Sequence, residues 1–106
     1  MTKLHDEFAV ALPVEQASSA CRRAISAIGW NVNEVGPDRI VPKIGVGVTR
    51  NPSKIEVLLH ESGDQTVVRL NGSILGIGPL QKAHLKAEMN RLREQIEVAA
   101  RAFADH

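Results

Sequence analysis

The chain has 106 residues, of which 43% are apolar and 24% charged, a composition that argues for one folded domain over 1–106 and against a disordered or membrane-inserted chain. The net charge is only +1 with His neutral, and the aromatic residues are limited to Phe8, Trp30 and Phe103 with no Tyr; bulk attraction to nucleic acid and a base-stacking platform are both poorly supplied. Short, interrupted apolar stretches and a charged start from Met1 to Glu7 lead us to expect a cytoplasmic protein without a membrane span.

Glu7 to Leu12 alternates, with Phe8, Val10 and Leu12 on one side, which predicts a first strand ended by Pro13. From Val14 the apolar residues fall at 14, 17, 21, 24, 25 and 28, the spacing of one helical face, with Gly29 placed to stop a helix over Val14–Ile28. Trp30 and Val32 alternate with Asn31 and Asn33, and the turn Gly36-Pro37-Asp38 leads into a strand over Arg39–Val48. Pro42 assigns that strand to a sheet edge or to the neighbourhood of a bulge, and Gly45 and Gly47 leave one of its faces bare. After a turn at Asn51-Pro52-Ser53, Lys54–Glu61 and Gln65–Leu75 form a hairpin about Ser62-Gly63-Asp64. The period then changes: Leu85, Met89, Leu92, Ile96, Ala99 and Phe103 mark a helix of about five turns that Pro79 suits as a first residue.

The predicted class is α+β, ordered β-α-β-β-β-β-α, with a curved antiparallel sheet covered by a long C-terminal amphipathic helix. This order resembles the TATA-binding-protein-like folds and, in shape, the helix-grip folds of Bet v 1-type ligand carriers. The first resemblance implies nucleic-acid binding through a sheet face with inserted aromatic residues, yet the outward positions here include Glu56 and Asn71 and no Phe. The second implies a pocket between sheet and helix, which Ile44, Val46, Val57, Leu59, Leu70, Leu92 and Ile96 would line.

Four groups of residues bear on function. Arg39, Lys43, Arg50 and Lys54 are a possible basic interaction surface, although lysines that keep a sheet edge from aggregating account for them equally. The glycine-rich run Gly72–Pro79, followed by Lys82 and His84, has neither phosphate-loop signature, so a packing turn is expected. His5, His60, His84 and His106 lack metal-ligand spacing, His60-Glu61 and Asp64 read as turn residues, and Cys21 reads as a buried hydrophobe. The polar face of the last helix, with Lys82, Lys86, Glu88, Arg91, Arg93, Glu94, Glu97 and Arg101, is expected to be solvated, while its apolar seam suits a core or a dimer.

No catalytic constellation and no cofactor motif emerges. The leading expectation is a non-enzymatic binding or protein–protein interaction module, with a protein partner or a second copy pairing through the Arg39–Val48 edge. The alternatives are small apolar ligand binding between sheet and helix, and weak nucleic-acid binding.

Overall fold

In the computed structural model, which describes residues 1–44 and 53–105, the elements are β1 (Thr2–Val10), α1 (Val14–Ile28), β2 (Asn31–Val35), β3 (Arg39–Lys43), β4 (Ser53–Ser62), β5 (Gln65–Ile74) and α2 (Pro79–Ala104). The strands make one antiparallel sheet in the order β1-β5-β4-β3-β2, and both helices pack on the same face of it. The expected class and element order hold.

The centre of the sheet follows from strict alternation. Ile55, Val57 and Leu59 of β4 and Val68, Leu70 and Ile74 of β5 turn inward and are buried, and Ser62 pairs with Gln65 across a two-residue loop. Gly63 takes φ 65° at the first loop position, which suits the glycine-first hairpin turn whose twist matches that of the strands.

β1 is longer than its own apolar pattern predicts, starting at Thr2 rather than Glu7. Between Thr2 and Asp6 only Leu4 is apolar, and the ladder to β5, from Thr2↔Ile74 through Val10↔Thr66, recruits these residues. Leu12 lies beyond the strand but stays 3% exposed, and its carbonyl accepts a 2.8 Å bond from the buried Thr66 hydroxyl.

α1 has the predicted bounds. Gly29, at φ 95°, donates to Ser26 O, and Trp30 N–H donates to Ile25 O at 3.1 Å, which closes the helix with a Schellman-type stop. Trp30 therefore belongs to the helix stop, and β2 begins one residue later. Pro42 pairs with Val32 beside the register shift between Val32 and Glu34, and β3 meets β4 only at Arg39 and Ile40. The missing N–H of Pro42 thus falls where the inner ladder has already ended. β3 stops at Lys43 and Ile44 is already outside it; residues 45–48 of the expected strand and Asn51-Pro52 of the expected turn lie outside the described residues, while Ser53 opens β4.

α2 runs 26 residues, about 39 Å at 1.5 Å per residue, which nearly matches the 41 Å long axis of the molecule. Leu85, Met89, Leu92 and Ile96 bury its seam against β1, β5 and α1, so among the described residues this seam is core. Gly72 sets how closely the helix approaches: a Cβ there would lie 2.5 Å from Met89 Sδ and 3.0 Å from Leu85 Cδ1. α1 packs on α2 and the sheet, and apart from Ile25 its buried residues, Ala17, Ala20, Cys21 and Ala24, are small, which lets two helices share one sheet face.

Candidate functional site

The interface between sheet and helix is sealed over its middle. Val57, Leu70, Leu92 and Ile96 are each 0% exposed and Leu59 is 6% exposed, so no water-sized void touches the first four. Of the other two expected pocket residues, Ile44 is half-buried at the margin of the core and Val46 lies outside the described residues.

Toward the start of α2 the interface changes character. Glu88, assigned by the sequence reading to the solvated face, is buried at 7% exposure. It follows Leu85 by three residues and precedes Leu92 by four, so it sits on the apolar stripe, and that spacing was the signal the charge pattern hid. Its Oε1 accepts a 3.0 Å bond from Ser53 Oγ at the first residue of β4 and lies 3.3 Å from Nε2 of His84. Burying a carboxylate is costly unless polar partners reach it, and here the half-buried Ser53 hydroxyl donates to it while the half-buried His84 ring lies beside it. Beyond this cluster Leu75, Ile77 and Leu80 are exposed by 56%, 87% and 80%, an apolar rim about the β5–α2 connection. Leu80, His84 and Glu88, each four residues apart, form a stripe running from exposed hydrocarbon to a buried carboxylate.

Arg93, expected on the solvated face, is half-buried. It pairs with Glu97 as its spacing suggests, but also reaches Asp6 of β1 at 3.0 Å and stacks 4.8 Å above the Phe8 ring, tying α2 to the sheet.

The open face of the sheet carries a polar chain across all five strands. Glu34 of β2 accepts from Arg39 of β3 at 2.6 Å, Arg39 donates to Glu56 of β4 at 2.5 Å, Glu56 accepts from Asn71 of β5 at 3.4 Å, and Asn71 bonds His5 of β1 at 2.8 Å. The hydrogen bond from Arg39 is the main reason that the Glu56 carboxyl titrates below its usual range, and the Glu56 and Glu34 carboxylates hold the guanidinium of Arg39 above its own. Arg39 is therefore occupied by two carboxylates, while Lys43 and Lys54 stand exposed on separate strands and Arg50 lies outside the described residues. The outer edge on this side is β2, exposed throughout, and Arg39–Lys43 lies one strand in, because Gly36-Pro37-Asp38 folds β2 back along the outside of β3.

The remaining candidates behave as packing or turn residues. Gly76 and Gly78 take φ 104° and 139°, conformations that reverse the chain into α2, and every strand pairing is antiparallel, so no phosphate-loop context exists. Burial pushes the Cys21 thiol up to about 12, which removes the thiolate a nucleophile requires. His60, Glu61 and Asp64 are exposed at the hairpin end. Among the described residues no three His, Cys, Asp or Glu side chains converge as a metal-binding set, and no helix is long and apolar enough to cross a membrane.

No protein-family model matches this chain, and neither does any curated protein. Solved structures do match. A START superfamily protein from Mycobacterium smegmatis aligns with a TM-score of 0.70 at 12% identity, covering 95% of this chain and 98% of that one. The fold is of the helix-grip type. An AHSA1-like protein from Rhizobium etli shares this helix-grip architecture at a TM-score of 0.67 and 17% identity, over 93% of this chain and 82% of its own. The Aha1 dimer from Colwellia psychrerythraea is similar at 0.70 and 12% identity, over 94% and 96%. Identities this low carry the architecture alone, and that architecture is helix-grip.

Proposed function

We propose that this helix-grip domain is a non-enzymatic binding module that takes a small, mainly apolar ligand with a hydrogen-bond-donating head group where α2 begins. The observation that carries this reading is the convergence of Ser53 and His84 on the buried carboxylate of Glu88, where the other buried residues of α2 are apolar. Small-molecule sites combine apolar walls with a few convergent polar groups, and the rim of Leu75, Ile77 and Leu80 supplies apolar surface at the mouth. The sealed middle of the interface moves the site away from Val57, Leu70, Leu92 and Ile96 and toward this end.

The same geometry argues against hydrolytic chemistry. A nucleophilic serine passes its proton to an imidazole, whereas the Ser53 hydroxyl faces a carboxylate, and His84 meets that carboxylate rather than the hydroxyl. Titrating the protein with medium-chain alkyl alcohols and alkyl amines, followed by amide NMR shifts, tests the proposal. Saturable shifts centred on Ser53, His84 and Glu88, weakened about tenfold by Glu88→Gln, are expected from loss of a charged acceptor. Saturable shifts centred on the open sheet face, or no shifts at all, would refute it.

A further inference from the structure

Away from the helices, strand register sets three donors in one row. Lys3 of β1 is the partner of Ser73 of β5, and Ser73 is the partner of Lys54 of β4. Neighbouring strands lie about 4.8 Å apart, so the two lysines start about 10 Å apart with the serine hydroxyl midway. Both lysines are exposed and Ser73 is half-buried. Among the described residues neither ammonium pairs with a carboxylate, and the Ser73 hydroxyl has no partner.

The neighbouring rows differ. Glu56 is turned onto Arg39 and Asn71, His5 bonds Asn71, and Arg69 pairs with Glu7. The Lys54 charge helps to keep the Glu56 carboxylate ionised without forming an ion pair with it. Lys3 lies on the edge strand β1 and Lys54 near the start of β4, short of the Arg39 and Ile40 pairing with β3, so Ser73 is the strand neighbour that the two lysines share.

His5 completes the row from one side. Asn71 uses its Nδ2 to donate to Glu56, so its Oδ1 faces His5 Nδ1 and accepts. Nδ1 therefore carries a proton, and Nε2 is the nitrogen left for another partner. A shallow groove of about 240 Å³ is lined by Lys3, His5, Lys54 and Ser73 together with Glu56 and Asn71.

We propose that this row is a binding site for a phosphate group on the open face of the sheet, separate from the ligand site at α2. Two ammonium groups would neutralise a dianion, and the Ser73 hydroxyl would donate to a third oxygen between them. His5 Nε2 donates when protonated, or accepts from the hydroxyl of a monoanionic phosphate. Phosphate fits better than carboxylate because three separated donors need an anion with at least three oxygens.

Amide NMR titrations with inorganic phosphate, glycerol 3-phosphate and acetate test this on the intact chain. Saturable shifts at Lys3, His5, Lys54 and Ser73 are expected with either phosphate, and the tighter of the two identifies free phosphate or a phosphate ester as the natural chemistry. Lys3→Ala and Lys54→Ala should each weaken binding about tenfold, as expected for loss of one charge-assisted contact. Lys82→Ala, on the exposed surface of α2, should leave it unchanged. Because both row lysines are exposed, the variants retain the wild-type spectrum elsewhere. Equal response to acetate, shifts that never saturate, or undiminished binding in the Lys3→Ala/Lys54→Ala double variant would overturn the proposal.

Discussion

Replacing Gly72 by alanine adds one methyl group where α2 lies closest to the sheet. The backbone permits it, since Gly72 is not among the glycines with positive φ, so the cost is steric. The new carbon would meet Met89 Sδ at 2.5 Å and Leu85 Cδ1 at 3.0 Å, well inside the roughly 3.5–4.0 Å of a comfortable contact. Overpacking of this kind costs about 1–3 kcal/mol, and the stiffer unfolded chain returns about 0.4–1 kcal/mol. A net loss of about 1–2 kcal/mol follows, lowering the melting temperature by about 5–10 °C for a domain of this size. Urea unfolding of wild type, Gly72→Ala, Met89→Ala and the double variant measures it. The thioether is the nearest obstacle, so removing it should relieve the clash, and the cycle should return a favourable coupling of about 1–2 kcal/mol. An alanine variant as stable as wild type, or a cycle with no coupling, would show that α2 is not held at this distance by the glycine.

Leu92→Asp or Ile96→Asp should abolish cooperative unfolding in a denaturant titration, because each places a charge among side chains that are 0% exposed; a folded monomer would instead mark the seam as an interface. Cys21 predicts an alkaline weakness. Its folded-state pKa of about 12 lies above the 9.0 of a free thiol, so its contribution is complete below pH 9 and is lost as pH rises toward 12. Near pH 10 the loss is on the order of 1 kcal/mol, and Cys21→Ala should flatten that part of the stability–pH curve measured by urea midpoints. A slope that persists in the alanine variant would assign it to another group.

Much of the fold was legible because one face of each element is buried and the other is not. The alternation of β4 and β5, and the stops at Gly29 and Pro79, are local signals that the tertiary structure reinforces. The start of β1 was not legible, since His5 and Lys3 earn their places from Asn71 and Ser73 more than 60 positions away. The functional surfaces were harder still. Glu88 looked like one more charge on a mixed helix face, and only its three- and four-residue spacing to Leu85 and Leu92 betrays its burial. Arg39 and Lys54 looked alike as basic residues, yet register gives the first two carboxylates and the second a serine neighbour. Cross-strand neighbours depend on strand order, which no local pattern in this sequence encodes.

The pairing of β1 with β5 also governs when the protein can fold as it is synthesised. Thr2 bonds the carbonyl of Gly76, 74 positions later, and the Phe8 ring is covered by Arg93 near the end of the chain. β1 therefore has no sheet neighbour until β5, more than 50 positions later, has been made, and β4 and β5 can form a hairpin without it. Such long-range closure slows folding and leaves Phe8, Val10 and Leu12 uncovered in the nascent chain. Polar residues at every second position of β1, Lys3, His5 and Glu7, keep that waiting segment soluble until α2 emerges to cover it.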